Sequence, residues 1–282
     1  MTTTTIASAL QTARQQISRA SDSASLDAQA LLGAVLGVDR AYLLAHPERV
    51  LTDDEQQRFA AWVERCTAGE PLAYILGRRA FYDREFVVTK DVLVPRPETE
   101  LLLERALAFA QGKADFTAVD VGTGSGILAV TFAAHNPEAA VYATDISSAA
   151  LAVARENAAI QQTNVTFFEG DLLSSLVERG IMLDLLMANL PYIPSAEVPT
   201  LAVSQHEPLL ALDGGDDGLD LVRRLLAQAV GLLKPEYLIL LEIGAGQGAA
   251  ARDIAQPIFP SAQVSVVQDY AGHDRIVVIQ QK

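Results

Sequence analysis

This sequence of 282 residues has little cysteine, little positive charge and no long apolar run. Its single cysteine, Cys66, excludes an internal disulfide framework and favours a reducing compartment. No apolar stretch reaches the ~18 residues that a membrane span needs. The N-terminal segment has no basic leader followed by an apolar stretch, so no secretory signal is expected. These absences predict a cytoplasmic protein without a membrane partner.

Basic residues are scarce, since 21 Lys and Arg stand against 35 Asp and Glu, for a net charge of −14. A protein that mainly grips a nucleic-acid backbone usually shows a basic face. Nucleic acid is therefore not expected as the substrate, although a local basic patch is compatible with an acidic total. Metal-ligand spacings are absent too, because neither CxxC nor HExxH occurs, and no metal site is expected.

The pattern of apolar residues changes twice along the chain. Residues 1–80 carry apolar positions at helical spacing and no strand pattern, which predicts a small all-α N-terminal domain. Residues 81–98 alternate around Lys90 and Asp91, which predicts a β-hairpin linker. Residues 99–282 alternate strand and helix, which predicts an α/β domain with a parallel sheet.

The α/β domain contains seven predicted strands, and their number and order indicate its fold. The last two are joined by a short turn and must therefore run antiparallel. A seven-stranded sheet with a terminal antiparallel hairpin is the shape associated with Rossmann-like, class I AdoMet-dependent methyltransferases. The predicted strands cover residues 117–121, 140–145, 164–170, 183–189, 236–244, 263–269 and 274–280.

A glycine-rich turn follows the first strand and precedes a helix. Glycines let a ligand approach the backbone, and a helix N-terminus offers unpaired N–H groups. Asp145 ends the next strand, where a carboxylate can accept hydrogen bonds from ribose hydroxyls. After the third strand, Asp171 could accept the amino hydrogen of adenine, or cap a short helix, and Leu172 could pack on the ring. The predicted AdoMet-binding residues are Gly122, Thr123, Gly124, Ser125, Gly126, Asp145, Asp171, Leu172 and Asn189.

A second strand-plus-glycine stretch occupies residues 241–248. Asp269 ends the strand after it, but only 13 residues remain beyond that position. We therefore interpret the second stretch as a tight turn and not as a second cofactor site.

The fourth strand of the α/β domain ends in Asn189, Leu190, Pro191 and Tyr192. The Asn189 side-chain oxygen and the Leu190 carbonyl can accept the two hydrogens of a planar NH₂ group, and an aromatic ring can stack on it. Pro191 biases Leu190 towards an extended backbone. The alternative is a plain strand end with a proline turn. We predict Asn189, Pro191 and Tyr192 as catalytic residues, and all four as substrate-binding residues.

Several longer segments resemble the HemK/PrmC-type methyltransferases, which methylate the side-chain nitrogen (N5) of a glutamine in peptide-chain release factors. The resemblance implies AdoMet on the glycine loop, with Asn189 near its methyl group. It also implies a GGQ-loop glutamine in the pocket of residues 189–192, and N-terminal helices that help to dock the release factor. The segments are residues 69–88, 92–100, 119–130, 143–151, 170–171 and 207–219.

One departure from that family keeps alternatives open. The family pattern is Asn-Pro-Pro-Tyr, whereas Leu190 makes this motif resemble that of rRNA adenine dimethylases. The alternatives are an adenine-N6 methyltransferase acting on rRNA or DNA, a methyltransferase for a ribosomal-protein glutamine, and a binding module without turnover. Two features have two interpretations each. Residues 214–218 are a turn before a helix at 218–233 or part of the substrate side, and Arg96 contacts substrate or caps the hairpin.

Overall fold

The structure is a computed structural model that describes residues 4–282. The chain divides into two compact units, with the boundary between Arg78 and Arg79. Within the described residues, no helix combines the length and the apolar character that crossing a bilayer requires.

The first unit is helical, and its helices begin where the sequence offers caps. Thr52 and Glu55 form a capping box at the start of α4, and the Asp39 side chain caps α3. Cys66 packs in the core of this unit, where burial raises the pKa of its thiol and disfavours the nucleophilic thiolate. The helices are α1 (Ile6–Ile17), α2 (Ala24–Leu36), α3 (Arg40–Ala45), α4 (Asp53–Thr67) and α5 (Leu72–Leu76).

The hairpin lies earlier in the chain than the sequence predicts. Its strands are β1 (Arg78–Phe81) and β2 (Arg84–Val87), and the chain reverses at Tyr82, which adopts a left-handed φ of 58°. The predicted hairpin around Lys90 and Asp91 is wrong, because residues 88–98 form no strand. Their apolar alternation reflects burial of side chains, and prolines in this segment cannot donate to a β-ladder.

The second unit contains the predicted seven-stranded sheet, in the order β5-β4-β3-β6-β7-β9-β8. Strands β3 to β7 run parallel, and β9 pairs antiparallel with both β7 and β8, so the predicted terminal antiparallel hairpin is confirmed. The strands are β3 (Thr117–Val121), β4 (Ala140–Asp145), β5 (Val165–Glu169), β6 (Leu183–Ala188), β7 (Leu233–Glu242), β8 (Gln263–Gln268) and β9 (Asp274–Gln281).

Helices cover both faces of this sheet. Val119 and Leu186 face one apolar cluster with helix α10, while Ala118 and Leu185 face a second cluster on the opposite side. The predicted helix at 218–233 is shorter than expected. The helices are α6 (Thr99–Ala110), α7 (Ile127–His135), α8 (Ser148–Ile160), α9 (Ser174–Val177), α10 (Asp220–Ala229) and α11 (Gly248–Ile258), with short 3₁₀ turns at Val198–Thr200, Ala202–Gln205 and Leu209–Ala211.

The order of the strands determines where a ligand can bind. The chain proceeds from β3 outward through β4 and β5, and then returns to place β6 on the other side of β3. Open α/β sheets bind ligands at the carboxyl ends of the strands where the winding direction reverses. Gly122 follows β3 and Asn189 follows β6, so both lie at this crevice.

Candidate active site

A cavity of about 300 Å³ opens at the crevice between the carboxyl ends of β3 and β6. It brings together most of the residues that the sequence singles out. Gly126 and Tyr192 are not among its lining residues. The predicted residues that line it are Gly122, Thr123, Gly124, Ser125, Asp145, Asp171, Leu172, Asn189, Leu190 and Pro191.

The glycine loop needs glycine for two different reasons. Gly122, Gly124 and Gly126 all have left-handed φ values, of 70°, 54° and 84°. A Cβ at Gly124 would meet nothing within 4 Å, so this position leaves space beside the backbone. A Cβ at Gly126 would lie 3.2 Å from the Ala154 Cβ on α8. Gly126 therefore permits close packing of the loop against α8.

Asp120, which the sequence analysis did not select, anchors the glycine loop from behind. Its Oδ2 accepts hydrogen bonds from the Thr123 hydroxyl (2.6 Å) and from the Ala129 backbone N–H (3.2 Å). The residue is 1% exposed, and burial raises its pKa to about 7. The only signal in the sequence is an acid within the apolar strand TAVDV.

Asp145 connects the glycine loop to the strand beside it. Its Oδ2 accepts from the Gly124 backbone N–H and its Oδ1 from the Ser147 backbone N–H, both at 2.9 Å. Burial raises the pKa of this carboxyl, and the backbone hydrogen bonds act in the opposite direction. Each carboxylate oxygen keeps a further lone pair, so the group can still accept from a ligand hydroxyl.

Asp171 and Leu172 follow β5, the strand beside the one that Asp145 ends, and both line the cavity. Asp171 is half-exposed and forms an ion pair with Arg224. The N-cap residue of α9 is Leu173, without a side-chain cap, so the alternative role of Asp171 as a helix cap is not observed. Leu172 has a φ of 54° and is 7% exposed. A leucine in this left-handed backbone region is uncommon, and its binding role stays a prediction.

Asn189 is linked by a chain of hydrogen bonds to two buried residues that the sequence analysis also missed, directly to Thr99 and through it to Glu242. Its Nδ2 donates to the Thr99 hydroxyl at 3.1 Å, and that hydroxyl donates to Oε2 of Glu242 at 2.7 Å. Thr99 is fully buried and Glu242 is 2% exposed. Burial raises the pKa of Glu242 to about 7, while the Thr99 hydrogen bond and Arg275 oppose the increase. Glu242, like Asp120, is an acid within an apolar strand.

Leu190 and Tyr192 face different surroundings. Leu190 is 5% exposed and lines the cavity beside Gly122. The Tyr192 ring lies near Gly244, and its backbone oxygen accepts from Gln247 Nε2 at 2.9 Å. Burial raises the pKa of the Tyr192 phenol. Stacking of this ring on a substrate stays a prediction.

The segment of residues 214–218 packs directly on the backbone of residues 189–192. A Cβ at Gly214 would lie 2.6 Å from the Pro191 oxygen, and one at Gly218 would lie 2.2 Å from the Tyr192 oxygen. The second glycine stretch reinforces this contact, since Gln247 Nε2 also donates to the Asp217 oxygen at 3.3 Å. The segment of residues 214–218 and the glycine stretch of residues 241–248 therefore both support the loop that carries Asn189. The stretch of residues 241–248 does not line the cavity.

Arg96 lies on the cavity wall and is ion-paired with Glu207, at 2.6 Å. Glu207 is 4% exposed, and its second oxygen accepts from the Val94 backbone N–H at 3.2 Å. This pair joins the segment before α6 to the segment that precedes Leu209–Ala211. Arg96 therefore connects two walls of the cavity, and it does not cap the hairpin.

Comparison with known proteins agrees with this architecture. A family model described as PrmC N-terminal domain matches residues 8–77, and one described as Methyltransferase small domain matches residues 97–205. A solved methyltransferase of Pyrococcus furiosus superposes with a TM-score of 0.54 at 16% identity, over 72% of this chain and 91% of that chain. A 16S rRNA methyltransferase of T. thermophilus, in complex with AdoMet and guanosine, gives 0.51 at 15% identity, over 73% of this chain and 50% of that one. At these identities the two structures show the fold alone.

Curated relatives are much closer in sequence. Release factor glutamine methyltransferase of Moorella thermoacetica is 46% identical over 253 residues, which are 89% of each chain. The protein of that name from Bacillus subtilis is 41% identical over 256 residues, 89% of each chain. That from Nitratidesulfovibrio vulgaris is 38% identical over 281 residues, 97% of this chain and 94% of the relative. None of these three relatives is named for adenine methylation.

The fold and these matches define an AdoMet-dependent methyltransferase of the Rossmann-like class I type. Within that class, the chain belongs to the family of release factor glutamine methyltransferases.

Proposed function

We propose that this chain transfers a methyl group from AdoMet to the side-chain amide nitrogen (N5) of the glutamine in the GGQ motif of peptide-chain release factors. One observation carries the proposal. Asn189 lines the cavity beside the glycine loop with its NH₂ group bound to Thr99, in a chain that is 46% identical to a release factor glutamine methyltransferase.

The cavity residues fit the chemistry of AdoMet. A volume of about 300 Å³ is in the range of small-ligand pockets. The open space beside Gly124 allows close approach to the backbone, and Asp145 can accept from ribose hydroxyls. Asp171 and Leu172 provide an acceptor and an apolar surface for the adenine. When bound, AdoMet supplies a methyl group that its sulfonium already activates.

The role of the protein is to hold the target nitrogen in line with that methyl group. An amide nitrogen is a poor nucleophile because its lone pair is delocalised over the carbonyl. The Asn189 side-chain oxygen and the Leu190 carbonyl accept its two hydrogens, and Pro191 keeps Leu190 extended. Positioning of this kind can supply much of the rate enhancement. The nitrogen becomes acidic only as it bonds to carbon, so no strong base is needed to remove its proton.

The parts of the chain divide this work. The helical domain, predicted for residues 1–80, helps to dock the release factor. The predicted linker of residues 81–98 follows it, and the predicted domain of residues 99–282 binds AdoMet and the glutamine. The match of residues 8–77 to the PrmC N-terminal domain supports the first assignment. A translation-factor substrate fits a cytoplasmic protein, and a net charge of −14 does not favour a nucleic-acid substrate.

The test is methyl transfer from AdoMet that carries a labelled methyl group to a purified release factor. We expect one label on the GGQ glutamine and none on a release factor in which glutamate replaces that glutamine. Ribosomal RNA and duplex DNA are tested in parallel reactions. If AdoMet binds but the release factor stays unlabelled, the proposal is wrong, and label on adenine would establish the adenine-N6 alternative instead.

A further inference from the structure

In the two hydrogen bonds that link Asn189 to Thr99 and Thr99 to Glu242, the donor and the acceptor can each be assigned. A hydroxyl group carries one proton, and an ionised carboxylate can only accept. With Glu242 ionised, the Thr99 proton must point at Glu242 Oε2, 2.7 Å away. The Thr99 oxygen then offers only lone pairs to Asn189, and only the NH₂ end of an amide can bind to lone pairs. The carbonyl end of Asn189 is thereby directed away from Thr99.

A substrate NH₂ group needs the opposite end of that amide, because its hydrogens must meet an oxygen. We propose that Thr99 and Glu242 are positioning residues, which hold the Asn189 carboxamide with its oxygen available to the substrate nitrogen. The inference deepens the proposed function and rests on it. Neither residue lies where it could touch the solvent, and Thr99 alone of the two lines the cavity.

Protonation of Glu242 would remove the constraint on the orientation of the Asn189 carboxamide. A protonated carboxyl can donate to Thr99, and the Thr99 hydroxyl proton is then free to face Asn189. The Asn189 amide can then flip so that its oxygen, instead of its NH₂ group, faces Thr99. The charged and titratable groups that face Glu242 are Arg275 on β9, Glu98 before α6 and Tyr192 after β6. Because burial raises the pKa of Glu242 to about 7, the carboxylate and the working orientation dominate only above that pH.

The experiment compares Thr99→Val, Thr99→Ser and Glu242→Gln with the wild-type enzyme. Thr99→Val keeps the side-chain shape but removes the hydroxyl. We expect kcat to fall about tenfold, the effect of one lost hydrogen bond, with little change in KM for the release factor or in the Kd of AdoMet. Thr99→Ser keeps the hydroxyl and should restore most of the activity. The matched control is Thr131→Val, since Thr131 is also fully buried and its hydroxyl has no partner among the described residues.

The pH profile separates positioning from simple structural support. Wild-type kcat should rise with pH through about 7. Glu242→Gln should flatten that rise, because glutamine can donate or accept at every pH. A Thr99→Val enzyme with wild-type kcat, or a Glu242→Gln enzyme with the wild-type pH profile, would overturn the inference.

A second readout does not depend on turnover. The NMR signals of the Asn189 side-chain NH₂ group should shift between pH 6 and pH 8, on either side of the pKa of Glu242 at about 7, in the wild-type protein but not in Glu242→Gln. If the release factor stays unmethylated while these signals behave as expected, the proposed substrate is wrong and the positioning of Asn189 stands. If the signals do not shift, the positioning inference is wrong whatever the substrate.

Discussion

Leu190 lies directly over Gly122: a Cβ added at Gly122 would come within 2.8 Å of Leu190 Cδ2. The residue that departs from the family motif therefore packs against the first glycine of the glycine loop. Proline would stiffen this position through its ring. Here, a side chain that is 5% exposed restricts the loop by packing instead.

Replacing Leu190 by alanine should remove that packing. We expect Leu190→Ala to lower the free energy of unfolding by about 2–4 kcal/mol, because the removed side chain leaves a cavity. AdoMet binding should weaken because this cavity borders the glycine loop. Leu225→Ala is the matched control, since Leu225 is fully buried but does not line the cavity. Calorimetric titration with AdoMet and denaturant unfolding measure the two effects. Equal AdoMet affinity in both variants would contradict the packing role.

Asn189→Ala should remove most of the methyl transfer while leaving AdoMet binding nearly unchanged. The alanine cannot accept the substrate hydrogens, and we expect kcat to fall at least about 100-fold, as for other preorganised polar groups. AdoMet affinity should persist because the glycine loop, Asp145 and Asp171 remain. Single-turnover rates together with equilibrium AdoMet binding measure the two quantities. Unchanged turnover in this variant would mean that the pocket is misassigned.

Gly218→Ala should displace the loop of residues 189–192, which carries Asn189. The added Cβ would lie 2.2 Å from the Tyr192 oxygen, at a position with a φ of 77°. Because a displacement of about 1 Å can reduce a rate about 100-fold, we expect a loss of kcat of that order.

Gly272→Ala controls for the backbone strain of such a substitution. Gly272 has a φ of 84°, but its Cβ would meet nothing within 4 Å. Both variants carry the cost of a left-handed alanine, so a kcat that falls equally in the two would show that the contact with Tyr192 is unimportant. The comparison is made by steady-state kinetics at saturating AdoMet.

Asp120 should make the stability of the fold depend on pH. Its pKa is raised by burial to about 7, so its contribution is complete below the ordinary carboxyl pKa and is lost as the pH rises through about 7. Asp120→Asn keeps an acceptor for Thr123 and does not titrate. Between pH 5 and pH 8 the wild-type free energy of unfolding should fall relative to the variant, by about 3 kcal/mol. Parallel curves from denaturant unfolding would refute this.

The predictable part of the site consists of local patterns. The glycine loop and Asn189 each follow a recognisable strand and Asp145 ends one, and parallel strands bring their carboxyl ends to one edge of the sheet. The structure places them around one cavity, as that rule predicts. The family resemblance added the substrate, which the cavity geometry by itself does not specify.

The residues that could not be predicted act across long sequence separations. Asn189 and Thr99 are 90 positions apart, and Thr99 and Glu242 are 143 apart. Nothing in the local pattern around Glu242 distinguishes a partner of Thr99 from an isolated acid. The hairpin was predicted at the wrong position because burial alternates in residues 88–98 although this segment does not pair as strands. Burial patterns identify which side chains face inward, but not which backbone groups pair.

The bond between Thr99 and Glu242 also has a consequence for the order in which the enzyme matures on the ribosome. The glycine loop and Asp145 emerge early, whereas Glu242 lies at the end of β7, which pairs with β6 and, once it is made, with β9. A nascent chain that has only just released Asn189 contains the strands on either side of the glycine loop but not Glu242. The hydrogen bonds that link Asn189 to Glu242 through Thr99 can therefore form only after β7 has been synthesised, later than the strands that precede and follow the glycine loop.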